Sequence, residues 1–178
     1  MINLKYIAGL LGALLIFATP LWAQDKEEAC DSAHWYCVEA LNVGLPAVPS
    51  EIDRETPRAT MESLVRAVRR DDWVGAAHLL DLSDIREDRQ QQVGTSLIRQ
   101  LETVISRKTV IDWDKLLDRP DALDATATSD RAMAGTPRKS LLLWTLDMED
   151  YPASIRLNRI KAEDGEPVWV FSRHTVQN

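Results

Sequence analysis

Three histidines, two cysteines and a surplus of carboxylates are the side chains here with enough chemistry to build a site. His34, His78 and His174 fit neither the His-Glu-x-x-His pattern that sets two zinc ligands on one helix face nor a Gly-x-Ser-x-Gly nucleophile turn. Ser172 and His174 share a strand face by spacing, but no neighbour would orient the imidazole as a base. The seven glycines are scattered and make no phosphate-cradling loop. Asp112 with Asp114, and Asp81 with Asp84, could share a metal or divide acid and base roles. Neither pair sits in the dense oxygen-donor loop that calcium requires. A helix-end cap at Asp81 and a turn at Asp112 account for them better. Arg66, Arg69 and Arg70 cluster on one helical face and could hold an anion. Glu62, four positions before Arg66, favours an ion-paired, solvated face instead. No catalytic residue, metal or cofactor emerges.

The elements that would position these groups begin after a targeting segment. Lys5 gives a positive start, residues 7–17 an apolar run, and Thr19-Pro20-Leu21-Trp22-Ala23 a cleavage site, so residues 1–23 read as a secretory signal peptide. The alternative is an uncleaved anchor, but the run falls short of the ~20 residues a spanning helix needs and Pro20 breaks it. Export to the periplasm follows as the expectation. The net charge of −7 excludes nucleic acid, which is bound through phosphate neutralisation by Lys and Arg, and gives no case for an anionic membrane. In an oxidising compartment Cys30 and Cys37 are expected to form a disulfide. A metal set of Cys30, His34 and Cys37 lacks the fourth donor of structural zinc.

Residues 24–55 read as an extended arm, because Gly44, Pro46 and Pro49 discourage a long helix. A short helical turn over 35–41 would lay Trp35 and Leu41 on the domain as docking anchors. Residues 56–178 form the expected α+β domain. Thr56 caps a helix that Pro57 starts, with Met61, Leu64, Val65 and Val68 as its apolar stripe. Asp71 or Asp72 restarts the chain for a second short face of Trp73, Ala76, Ala77 and Leu80. A third helix spans about 88–107, with Val93, Leu97, Leu101, Val104 and Ile105 as its stripe and Gly94 marking a close contact. Residues 109–113 read as a short strand or docking segment, and 118–130 as a polar loop. Strands follow: a weak one at 132–135, then 141–146, 153–161 and 168–171. Strict alternation puts Leu142, Trp144 and Leu146 on one face of the first long strand and Leu141 and Leu143 on the other. Glu163-Asp164-Gly165-Glu166 is a hairpin turn. Helices first and strands after predict three helices on a small antiparallel sheet. That order resembles the cystatin or NTF2-like α+β shape, in which a cavity can form between sheet and helices. Trp113, Trp144 and Trp169 are the pocket candidates, although large aromatics on a sheet are more often core.

A set of landmarks runs through the chain in order. It comprises Trp35-Tyr36, Leu41-Asn42-Val43-Gly44-Leu45-Pro46, the stretch from Asp53 to Glu62, Asp72-Trp73 with Ala76-Ala77, and Leu80-Asp81-Leu82. Arg107-Lys108, Ile111-Asp112, Pro167 to Ser172 and Thr175-Val176 complete it. The set resembles the periplasmic N-terminal module that precedes the membrane helices in some channels of the small-conductance mechanosensitive family. The resemblance implies a non-enzymatic periplasmic domain that docks on or regulates a membrane channel or other envelope protein, and it transfers no catalytic residues. Such channels continue into a pore, whereas this sequence ends at Asn178, so conduction is not implied. The cysteine pair is not a feature of that module. The rival expectation is a small-ligand-binding envelope protein, and a third, weaker one is an envelope enzyme using scattered carboxylates.

Overall fold

Thr56 and Pro57 set the first helix as their chemistry requires. A computed structural model describes residues 32–108, 110–127, 134–147 and 152–177. In it α1 spans Pro57–Arg69, and the Thr56 hydroxyl accepts from the Ala59 amide at 3.0 Å. Asp71, at φ 55°, reverses the chain, and Asp72 caps α2 (Trp73–Ala77) by accepting from the Gly75 amide at 2.8 Å. The long α3 spans Glu87–Lys108. Its buried line is Gln90, Gly94, Ile98, Leu101 and Ile105, rotated from the expected stripe: Ile98 is fully buried, while Val93 is only half-buried. Gly94 does mark a close contact. A Cβ there would lie 2.8 Å from Leu82 Cδ1 and 3.1 Å from Ala77 Cβ, so the missing side chain lets α3 settle on α2.

The sheet has β1 (Tyr36–Val38), β2 (Ser140–Asp147), β3 (Pro152–Ala162) and β4 (Val168–Phe171), followed by the short α4 (Arg173–Gln177). Leu157 and Asn158 pair with both β2 and β4, and Ile160 with both β1 and β4. Hence β2 and β1 lie end to end along one edge of β3, and β4 lies along the other. The β3–β4 hairpin turns at 163–165, as its Glu-Asp-Gly-Glu sequence predicts. The α+β class holds, with helices packed on a sheet, but β1 runs parallel to β3, so the sheet is mixed rather than purely antiparallel. The expected helical turn over 35–41 is also corrected, because the open edge of β3 beyond β2 draws residues 36–38 into a strand.

A second correction concerns β2. Its register shifts between Leu142 and Trp144, a bulge that breaks strict alternation. Leu141 now faces Leu157, Trp144 faces Ile155 and Leu146 faces Ala153, which puts all three on the core side and leaves Leu142 opposite Arg156. Residues 110–112 form no strand and lead into a 3-10 turn at Trp113–Lys115; Thr109 lies outside the described residues. The weak strand at 132–135 is not formed where it can be described: Ala134 and Gly135 (φ 67°) lie in a turn, and Ala132 and Met133 lie outside.

The core is shared by Met61 and Leu64 of α1, Leu79, Leu80 and Leu82 after α2, Ile98 of α3, and Leu157, Trp169 and Phe171 of the sheet. The 79–82 segment stitches the outer edge of β4. Phe171 donates its amide to the Leu79 carbonyl at 2.7 Å, and Asp81 donates to the Phe171 carbonyl at 3.0 Å. No described helix is long and apolar enough to cross a membrane.

Candidate functional site

Trp113 stands between α1 and the outer edge of β2 because two arms hold its segment. Arg58, in the first turn of α1, donates from its guanidinium to the Trp113 carbonyl at 2.6 Å, and its amide donates to the Leu117 carbonyl at 3.2 Å. That second bond satisfies one of the amides a helix leaves unpaired at its start. Within the segment, Lys115 Nζ meets Asp112 at 2.8 Å, and the Lys115 hydrogen bond holds the exposed Asp112 carboxyl below its usual range.

Two clefts open on either side of this tryptophan. The first, of ≈ 490 Å³, is lined by Arg58, Glu62, Val65, Arg66, Arg69, Arg70 and Trp113. Its guanidiniums are only partly engaged. Arg66 donates to the Glu51 carbonyl at 2.7 Å and Arg70 lies 3.9 Å from the Glu51 carboxylate, while Arg69 makes no ion pair among the described residues. Glu51 thus takes the role that sequence spacing assigned to Glu62. Its carboxyl is held low first by a backbone amide, then by the Ser50 hydroxyl.

The second cleft, of ≈ 860 Å³, runs between residues 110–116 and Leu141, Leu142, Leu143 and Trp144. Four consecutive strand residues line it, so it follows the edge of β2 and not one face. That edge pairs with no strand among the described residues. Val110 is 87% exposed and Leu142 46%, which puts apolar side chains beside unpaired backbone donors and acceptors. An open strand edge of this kind is a template for an added strand. The arrangement can take an extended segment that pairs along β2 and places acidic groups among the α1 arginines.

Comparison with protein-family models, curated proteins and solved structures gives no match.

Of the three predicted pocket tryptophans, Trp113 and Trp144 share the strand-edge cleft. Trp169 does not join them: it is fully buried, and its indole donates to the Pro120 carbonyl at 2.9 Å. Trp35 and Leu41 are each half-buried on the domain, and the deeper anchors of their segment are Asn42, Leu45 and Ile52. Cys37 is half-buried in β1; its expected partner Cys30, like the signal segment 1–23, lies outside the described residues. Asp81 and Asp84 converge on the Arg173 guanidinium, at 3.2 and 2.6 Å, in a structural latch. Ser172 shares its hydroxyl with Thr175 at 3.0 Å, not with a histidine.

Sequence reasoning missed Arg58, although its spacing before Glu62, Val65 and Arg69 sets all four on one helical face. It weighed His78 only against metal and nucleophile motifs, not as a buried group. That side chain is 2% exposed, neither ring nitrogen has a partner at hydrogen-bonding geometry among the described residues, and burial, helped by the Arg54 charge and only partly opposed by the Pro46 backbone and Asp72, lowers its pKa to about 4. As pH falls, the unfolded chain therefore takes up a proton near pH 6.5 and the folded chain only near 4. Stability is lost across that window and is flat below it. At pH 5 the expected loss is about 2 kcal/mol relative to pH 7. It is measured as the extra acid sensitivity of the native protein over His78→Gln in urea unfolding; equal sensitivity of the two would remove His78 from the account.

Proposed function

We propose that this is a non-enzymatic docking module of the periplasm that binds a membrane channel or another envelope protein. The observation that carries the proposal is the surface around Trp113, where an arginine-lined cleft and an unpaired apolar strand edge meet at one side chain. An extended segment with apolar side chains and acidic flanks fits both halves. Charge contributes mainly to encounter and register, and the apolar edge contributes to residence. The resemblance to the periplasmic module of small-conductance mechanosensitive channels supports a channel as the partner. A small ligand in the cleft shared by Trp113 and Trp144 is the second reading, favoured by a volume in the range of small-molecule sites.

Export is part of the proposal. Protein recovered from the envelope is expected to begin at Gln24 and to take up a thiol reagent at Cys30 and Cys37 only after reduction. A retained Met1 would contradict export, and labelling without reduction would contradict the disulfide. The docking claim is tested by survival of osmotic downshock. Deleting the gene is expected to lower survival, and a plasmid copy to restore it. A copy carrying Arg66→Glu and Arg69→Glu is expected to restore less than a tenth as much, since reversing two charges repels an acidic partner.

A further inference from the structure

Just beyond the start of β2, where β1 takes over along β3, a second group of cations gathers on aromatic rings. Arg159 Cζ lies 5.6 Å from the Trp35 ring centre and Lys161 Nζ lies 5.4 Å from it. Lys139 Nζ lies 4.8 Å from the centre of the Tyr36 ring. The strand pairing assembles them. Tyr36 sits opposite Ile160, and the Lys139 carbonyl accepts from the Arg159 amide at 2.9 Å, so all five residues meet where β1 succeeds β2 along β3.

We propose that Trp35, Tyr36, Lys139, Arg159 and Lys161 form a contact site for an anionic phospholipid surface. Three observations carry this. First, none of these three cations forms an ion pair or donates a side-chain hydrogen bond to another described residue; Asp121 and Glu166 act on Arg159 only through space. Second, the Arg159 Nε and Trp35 Nε1 donors are buried without an acceptor among the described residues, and burial disfavours the Arg159 charge, a cost that an anion drawn up beside the guanidinium offsets. Third, an amphipathic ring beside a long cationic side chain suits the headgroup layer, where the ring lies among glycerol and acyl carbons and the cation reaches phosphate.

Charge complementarity selects the lipid and the orientation. A chain of net charge −7 approaches an anionic surface only through a locally basic patch, and the repulsion of its distant carboxylates is screened beyond a Debye length of ~8 Å at physiological salt. Glu166, exposed in the turn beyond Lys161, opposes the contact and so supplies a control.

The test is co-sedimentation of the exported protein with vesicles of phosphatidylglycerol and phosphatidylethanolamine, against vesicles of phosphatidylcholine alone. Binding to the anionic vesicles is expected, with little to the neutral ones. Lys139→Gln and Lys161→Gln are each expected to weaken it about fivefold, and Glu166→Gln to strengthen it. Arg89→Gln, on the exposed face of α3, is expected to leave it unchanged. Equal binding to both vesicle types, or anionic binding that the folded Lys139→Gln/Lys161→Gln variant retains, would overturn the proposal. Loss of vesicle binding in inorganic phosphate, but not in chloride of the same ionic strength, would overturn it in favour of a small-anion site.

Discussion

Asn42→Ala is expected to destabilise the protein by about 3 to 5 kcal/mol. Asn42 is buried at φ 60°, and its side chain makes the connection that the 78–82 segment cannot make for itself. Its Oδ1 accepts from the Leu82 amide at 3.1 Å, and its Nδ2 donates to the Leu80 carbonyl at 2.8 Å. Alanine leaves both backbone groups buried and unpaired, each at about 1–3 kcal/mol, and keeps a left-handed residue that now lacks asparagine's tolerance for it. Asn42→Gly is expected to recover only the conformational part, about 1 kcal/mol. Urea unfolding at pH 7 measures both. A loss below 1 kcal/mol for Asn42→Ala would mean that the segment holds its place without this clamp. Gly44, two residues on, belongs to the same joint. Its amide donates to Gln90 Oε1 at 2.8 Å, and a Cβ there would drive into the Glu87 carbonyl.

The second large effect is expected at the other end of the chain. Asp81 has a side chain only 1% exposed; it accepts from the Ser83 hydroxyl at 2.5 Å and from Arg173 Nε at 3.2 Å. Arg173 Nη1 also donates to both carboxylate oxygens of Asp84. Arg173→Ala strands a buried carboxylate, and the expected loss is about 3 kcal/mol, the low end for a buried pair because Arg173 is itself 32% exposed. Adding Asp81→Asn removes the stranded charge and is expected to return part of the loss. If the double variant is no more stable than Arg173→Ala, the two residues are not coupled as the geometry implies.

These joints explain what could be read from the sequence and what could not. The Thr56-Pro57 start of α1, the Asp72 restart and the β3–β4 turn are local: each depends on residues within a few positions, and each formed where expected. β1 depends on a partner more than a hundred residues away and is three residues long, so its own sequence carries no period to read. The β2 bulge shifts the alternation by one residue, which is why the two faces of Leu141 to Leu146 came out wrong. At the site, the arginine face was visible in helical spacing, but its enclosure by Trp113 is tertiary. Trp144 and Trp169 looked alike as strand aromatics. Only the position of Pro120 over the core shows that one of them is a buried hydrogen-bonded anchor and the other a cleft wall.

The docking surface is tested most directly by photocrosslinking in cells, with the reactive residue placed at Val110, Leu142 or Arg69 and, as a control, at the exposed Arg89 of α3. The account predicts adducts to a membrane protein from the first three positions and none from Arg89. Adducts only within a single copy of this chain, from every position, would contradict docking and leave the Trp113–Trp144 cleft to a small ligand.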